Sequence, residues 1–78
     1  MNKIETKEVR LAIEIAEKLN DLKSLAQFIG MCQKYKESFL KDILKKVVET
    51  PQHKIRKTRG ALFTYLVRLH ADKDNYRS

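Results

Sequence analysis

Four of the six residues at positions 54–59 are basic: Lys54, Arg56, Lys57 and Arg59. Ammonium and guanidinium groups at this density suit phosphate, which they hold by charge and by charge-assisted hydrogen bonds. The stretch runs into Thr58-Arg59-Gly60, residue types that can open a helix. A threonine there caps the first turn. The turn itself offers unpaired backbone N–H groups and the positive end of the helix dipole, a ready anion site. Gly60 has no Cβ, so an anion could reach the backbone, and on helix propensity alone glycine is a poor choice there. His53 can contact phosphate or add charge at mildly acid pH. Arg68 and Lys46 extend the set. The chemistry indicated is phosphate binding.

A short basic run is more often a solvated loop, so the distribution of charge decides. The net charge is +7. Residues 1–49 carry ten basic and eight acidic side chains, whereas residues 50–71 carry Lys54, Arg56, Lys57, Arg59 and Arg68 and no acid. The excess is therefore local, and it coincides with a helix start. That pattern fits a polyanionic partner.

No other constellation competes. Two histidines and one cysteine do not form a local Cys–His pair. No Gly-rich phosphate loop is present. The carboxylates fall at helix-surface spacings with lysine partners, the pattern of a solvated face. One cysteine excludes an internal disulfide and any zinc site built on two cysteines. The expectation is a binding protein rather than an enzyme, with no metal and no cofactor. Cys32 reads as a core residue, and Phe28, Phe39 and Phe63 as core aromatics. Tyr35, Tyr65 and Tyr76 are candidates for stacking on unpaired bases, Tyr35 and Tyr76 being the freer for lying near helix ends. His70 suits the negative end of the last helix.

The elements that must position these residues are helical. At 78 residues, 42% apolar and 35% charged, the chain is one small domain, too apolar for a disordered tail. No apolar run approaches the roughly 20 residues of a membrane span, and residues 1–5 are charged and lack the apolar core of a leader. With a lone thiol, the expected compartment is intracellular: cytoplasmic, or nuclear in a eukaryote. Val9, Ala12, Ile13, Ala16 and Leu19 recur at helical spacing over residues 6–19, with Leu11 and Ile15 beside the stripe and Glu14–Lys18 as an i,i+4 pair. Asp21 reads as the N-cap of a second helix over 22–35, facing inward through Leu22, Leu25, Ala26, Phe28, Ile29 and Cys32. Gly30 there needs close packing to offset its cost. The third helix covers 36 or 37 to 49, on Phe39, Leu40, Ile43, Leu44 and Val47, and ends before Pro51. Thr58 caps a fourth helix over 59–71, with Ala61, Leu62, Tyr65, Leu66 and Leu69 as its inner face and Phe63 and Val67 flanking. Ile55 anchors the loop before it, and the polar tail 72–78 frays. The fold class predicted is an all-α bundle of about four helices in a single domain, 1–78.

Two segments, Ile15-Ala16-Glu17-Lys18-Leu19-Asn20 and Arg56-Lys57-Thr58-Arg59-Gly60-Ala61-Leu62-Phe63, resemble the RNA-binding domain of the phosphorylated adaptor for RNA export. That family carries an Ile-Ala-x-x-Leu-Asn-like stretch, and later basic residues before Thr-Pro-Gly-Gly, an apolar residue, Phe and Leu. The likeness covers about residues 9–69 in the same order. It implies an all-helical fold that binds single-stranded or structured RNA with little sequence preference, with Arg56, Lys57, Thr58 and Gly60 matching the basic-Thr-x-Gly element. Arg59 stands where the family has proline and Ala61 where it has a second glycine, and the loop 50–55 is shorter and free of glycine.

Together these features predict an RNA-binding module that contacts the phosphate backbone through His53, Lys54, Arg56, Lys57, Thr58, Arg59, Gly60 and Arg68, with little base specificity. The rival readings are a small DNA-binding regulator or replication protein of plasmid or phage type, and a protein-interaction subunit. A membrane partner is not expected, because the basic residues cluster in a loop rather than lining a helix opposite an apolar face.

Overall fold

The computed structural model describes residues 6–77, and over them the chain is all-helical, with four α-helices and no strand. Segment 1–5, read above for a leader, and Ser78 lie outside the described residues. Helix α1 spans Lys7–Lys18. The Thr6 hydroxyl accepts from the Val9 N–H at 3.1 Å and satisfies a first-turn donor. Lys18 pairs with Glu14 at 3.3 Å, as the spacing predicts. The buried stripe is Leu11, Ala12, Ile15, Ala16 and Leu19. It is rotated toward Leu11 and Ile15, and leaves Val9 and Ile13 half-buried. Ala12 and Ala16 are small enough to let α2, the main partner of α1, approach closely.

Helix α1 ends in a left-handed residue, Asn20, at φ 55°. The Asn20 N–H donates to Glu17 O at 3.1 Å and the Asp21 N–H to Ala16 O at 2.8 Å, the paired bonds of a Schellman end. Asparagine tolerates this region better than most residues. The expectation that Asp21 caps the second helix is corrected here, because its side chain makes no cap bond. The chain passes instead through a single 3-10 turn, Leu22–Ser24, before α2 begins, so α2 spans only Leu25–Lys34. Phe28 and Cys32 are its buried residues, with Leu25, Ile29 and Met31 packed at the margin. Leu22 and Ala26 face outward. Gly30 is exposed and has open space where a Cβ would stand, so no close contact offsets its helical cost.

Helix α3 spans Glu37–Glu49 and buries Phe39, Leu40, Ile43, Leu44 and Val47, the predicted stripe. Its end is set by Thr50, whose hydroxyl donates to Lys46 O at 2.7 Å, and by Pro51. Helix α4 spans Arg59–His70, with the Thr58 hydroxyl accepting from the Ala61 N–H at 3.0 Å. Its inner face differs from the expected one. Gly60, Phe63 and Val67 are buried, Leu62 and Leu66 are marginal, and Ala61, Tyr65 and Leu69 face outward. Apolar residues lie all round α4, so period alone could not choose its inner side. What selects it is the edge-to-face contact of Phe63 with Phe28, ring centroids 5.7 Å apart at 89°.

The tail does not fray over its described part. Asp72 accepts from the Asp74 N–H at 2.9 Å and starts a short turn, Lys73–Asn75. The chain then pairs with the α2–α3 junction: the Lys36 N–H donates to Asn75 O at 2.8 Å and the Arg77 N–H to Lys34 O at 2.9 Å. Arg77 donates to Cys32 O at 2.7 Å and pairs with Glu8 at 3.4 Å. This strap satisfies backbone groups left open at the end of α2. It also covers Tyr35, which is buried rather than free. The Cα atoms extend 43 × 30 × 16 Å, and among the described residues Ala61, Tyr65 and Leu69 stay exposed on the outer side of α4.

Candidate nucleic-acid interface

The basic stretch divides at Thr58. Before it, Pro51 disfavours helix and the chain makes one 3-10 turn, Gln52–Lys54, closed by the Lys54 N–H on Pro51 O at 2.9 Å. Ile55 is half-buried and anchors the loop, which turns Lys54, Arg56 and Lys57 out to solvent on either side of it. Among the described residues the ion pairs are Lys18–Glu14, Lys41–Glu37 and Arg77–Glu8, so none of these three loop cations has a carboxylate partner. His53 is exposed in the same turn.

From Thr58 to Gly60, the predicted site residues are built into the fold. Arg59 is half-buried. Its guanidinium donates to Val47 O at 2.7 Å, Thr50 O at 3.1 Å and Gln52 Oε1 at 3.4 Å. It therefore closes the C-terminus of α3, where a cation also meets the negative end of the dipole. The Thr58 hydroxyl is taken by the Ala61 N–H. Gly60 is buried, and a Cβ there would run into the carboxylate of Asp21. An anion does approach the start of α4 through the gap that glycine leaves, and it is the chain's own Asp21. The Schellman end of α1 carries Asp21 there, and its charge suits the positive end of α4. The long-range partner of Asp21 gives no signal in the sequence.

The loop and α4 enclose an open cleft of ≈ 530 Å³ whose apolar surface exceeds its polar surface. Lys54, Arg56 and Lys57 supply its basic rim, and Ile55, Leu62 and Tyr65 its apolar floor. Tyr65 is 60% exposed. The sequence reading placed Leu62 and Tyr65 in the core. They become cleft residues because α4 turns its other side inward.

Arg68 lies on the same outward surface of α4, three residues from Tyr65, but lines a second and smaller cleft against α2 with Gln27, Gly30 and Lys34. Gln27 donates to the Thr64 hydroxyl at 3.4 Å across that boundary. Beside it the Tyr35 and Tyr76 rings lie 4.9 Å apart, with the Lys34 ammonium 5.5 Å from each. Burial raises the pKa of Tyr35, the Tyr76 hydroxyl adds to the shift, and the nearby charge of Arg68 opposes it. Lys46 is exposed on α3 and lines neither cleft. His70 closes α4 as expected, and its carbonyl accepts from Asn75 Nδ2 at 3.1 Å. Among the described residues no group of three or more His, Cys, Asp or Glu side chains could hold a metal ion, and no helix is long and apolar enough to cross a membrane. Comparison with protein families, with curated proteins and with solved structures returns no match.

Proposed function

We propose that this domain binds nucleic acid, RNA in preference to DNA, with the strand's phosphates on Lys54, Arg56 and Lys57. The observation that carries the reading is the cleft that joins those three unpaired cations to an apolar floor ending in Tyr65. Cations alone would attract any polyanion. An adjoining apolar wall with an exposed aromatic ring suits an unpaired base or sugar, which a duplex does not offer. The likeness of residues 56–63 to an RNA-binding domain supports RNA.

A duplex-DNA regulator is less well supported. With Arg59 engaged at α3, only Arg68 projects as a cation from the outer face of α4, a thin set for reading base edges. The exposed Tyr65 and Leu69, at 60% and 58%, favour a protein partner as the second reading. The deciding experiment is a competition among single-stranded RNA, duplex RNA, duplex DNA and an acidic helical peptide at one salt concentration, followed by a salt titration. Single-stranded RNA is expected to bind best, with a log–log slope near about −2 for three phosphate contacts. Preference for duplex DNA or for the peptide, or a slope near zero, overturns the proposal.

A further inference from the structure

We infer that the small cleft between α2 and α4 is a second subsite for the same strand, taking phosphate on Lys34 and Arg68 and a base on Tyr76. The inference rests on the nucleic-acid reading of the loop cleft. Three independent features assemble here. Lys34 and Arg68 line one cleft from two different helices, and neither has a carboxylate partner among the described residues. Two exposed cations on one cleft suit an anion that bridges them. Gly30 leaves the floor open, with nothing within 4 Å of where a Cβ would stand, so a ligand can come down on the α2 backbone. Tyr76 is 38% exposed and packs on Tyr35, which lines the cleft, with Lys34 beside its ring.

The strap that delivers Tyr76 is well anchored. Lys36 and Arg77 backbone bonds hold it on either side, and the Arg77 side chain holds its end on Cys32 O and Glu8. Tyr76 is therefore presented in a fixed position, so little ordering entropy remains to be lost on binding.

The two clefts adjoin the same outward surface of α4. Tyr65 borders the loop cleft, Arg68 borders the second, and three-residue neighbours on a helix face lie side by side. From Thr58 to Arg68 the helix rises about 15 Å at about 1.5 Å per residue. A strand seated on Lys54, Arg56 and Lys57 thus needs only a few more nucleotides to cross Tyr65 and reach Arg68 and Lys34. Short oligonucleotides fill the loop cleft alone, and longer ones fill both.

The test is a salt titration of the full chain with oligouridylates of about four and about twelve nucleotides, within the usual range of single-strand site sizes. At about 0.7 per phosphate contact, the slope is expected near about −2 for the short strand and near about −3.5 for the long one. Lys34→Gln with Arg68→Gln, both at exposed positions, is expected to return the long-strand slope to about −2 and to leave the short strand unchanged. Tyr76→Leu, which keeps the backbone strap, is expected to weaken only the long strand, by about tenfold. If the double variant leaves the long strand unaltered, or weakens both lengths alike, the second subsite is wrong while the loop site stands. If Lys54→Gln, Arg56→Gln and Lys57→Gln together leave both lengths unaltered, the loop reading itself fails, and the second subsite with it.

Discussion

Lys57 and Arg59 sit two residues apart in one basic run, yet the fold uses them oppositely. Lys57 projects from a loop into solvent at the rim of an apolar cleft. Arg59 turns back and closes α3 through Val47 O and Thr50 O. The same contrast separates Lys54 and Arg56 from Thr58 and Gly60. One half of the stretch holds the molecule together, and the other is left for a partner. A run of positive charge is therefore not a binding site until the charges consumed by helix ends have been subtracted.

Four substitutions sharpen or break that contrast. Replacing Lys54, Arg56 and Lys57 together by Gln should remove most salt-dependent affinity for single-stranded RNA and leave stability within about 0.5 kcal/mol, since exposed positions rarely matter to folding. A filter-binding salt series with a parallel urea melt reads both. Arg59→Ala should do the reverse, costing about 2 kcal/mol of stability as two carbonyls lose a charged donor, with a far smaller change in the salt slope. A fall in slope as large as that of the triple variant would erase the division between the two halves.

The start of α4 gives a smaller effect that depends on Asp21. Gly60→Ala should leave stability nearly unchanged, because the gain in helix propensity is offset by displacing the Asp21 carboxylate from the start of α4. In an Asp21→Ala background the same change should stabilise by up to about 1 kcal/mol, because helix propensity then dominates. Equal effects in both backgrounds would mean that Asp21 does not fill the start of α4. The smallest effect at neutral pH concerns Cys32, fully buried beneath the strap. Burial pushes its thiol from 9.0 up to about 11. An acid whose pKa is raised on folding favours the folded state below its unfolded pKa. Stability should therefore hold at neutral pH and decline between about pH 9 and 11. A Cys32→Ala variant should show a smaller decline in its urea midpoint, with Tyr35, whose pKa burial also raises, keeping part of it above about pH 10, and an identical decline would assign it to other groups.

Much of the fold was legible in the sequence, and the misses share a cause. Helix α3 alternates a single apolar stripe with lysines, so Phe39, Leu40, Ile43, Leu44 and Val47 could only face inward. Helix α4 is apolar on more than one side, and its choice of Phe63 over Tyr65 depends on Phe28, thirty-five positions earlier in the chain. Thr58 was readable as a cap because that bond is local. The roles of Arg59, Asp21 and the strap through Tyr76 and Arg77 were not, because each reaches a partner distant in sequence. The three loop cations were legible as candidates because they crowd into one stretch that carries no acid. The apolar floor beside them was not, because it depends on the orientation of α4.

The most direct test of the division within the basic stretch is a titration of backbone amide shifts with a short single-stranded RNA. The largest changes are expected at Lys54, Arg56, Lys57, Ala61 and Tyr65, with Arg59 and Gly60 moving less than their neighbours. Changes confined to α1, or greatest at Arg59 and Gly60, would contradict the assignment of the loop cations to the ligand and of the junction to the fold.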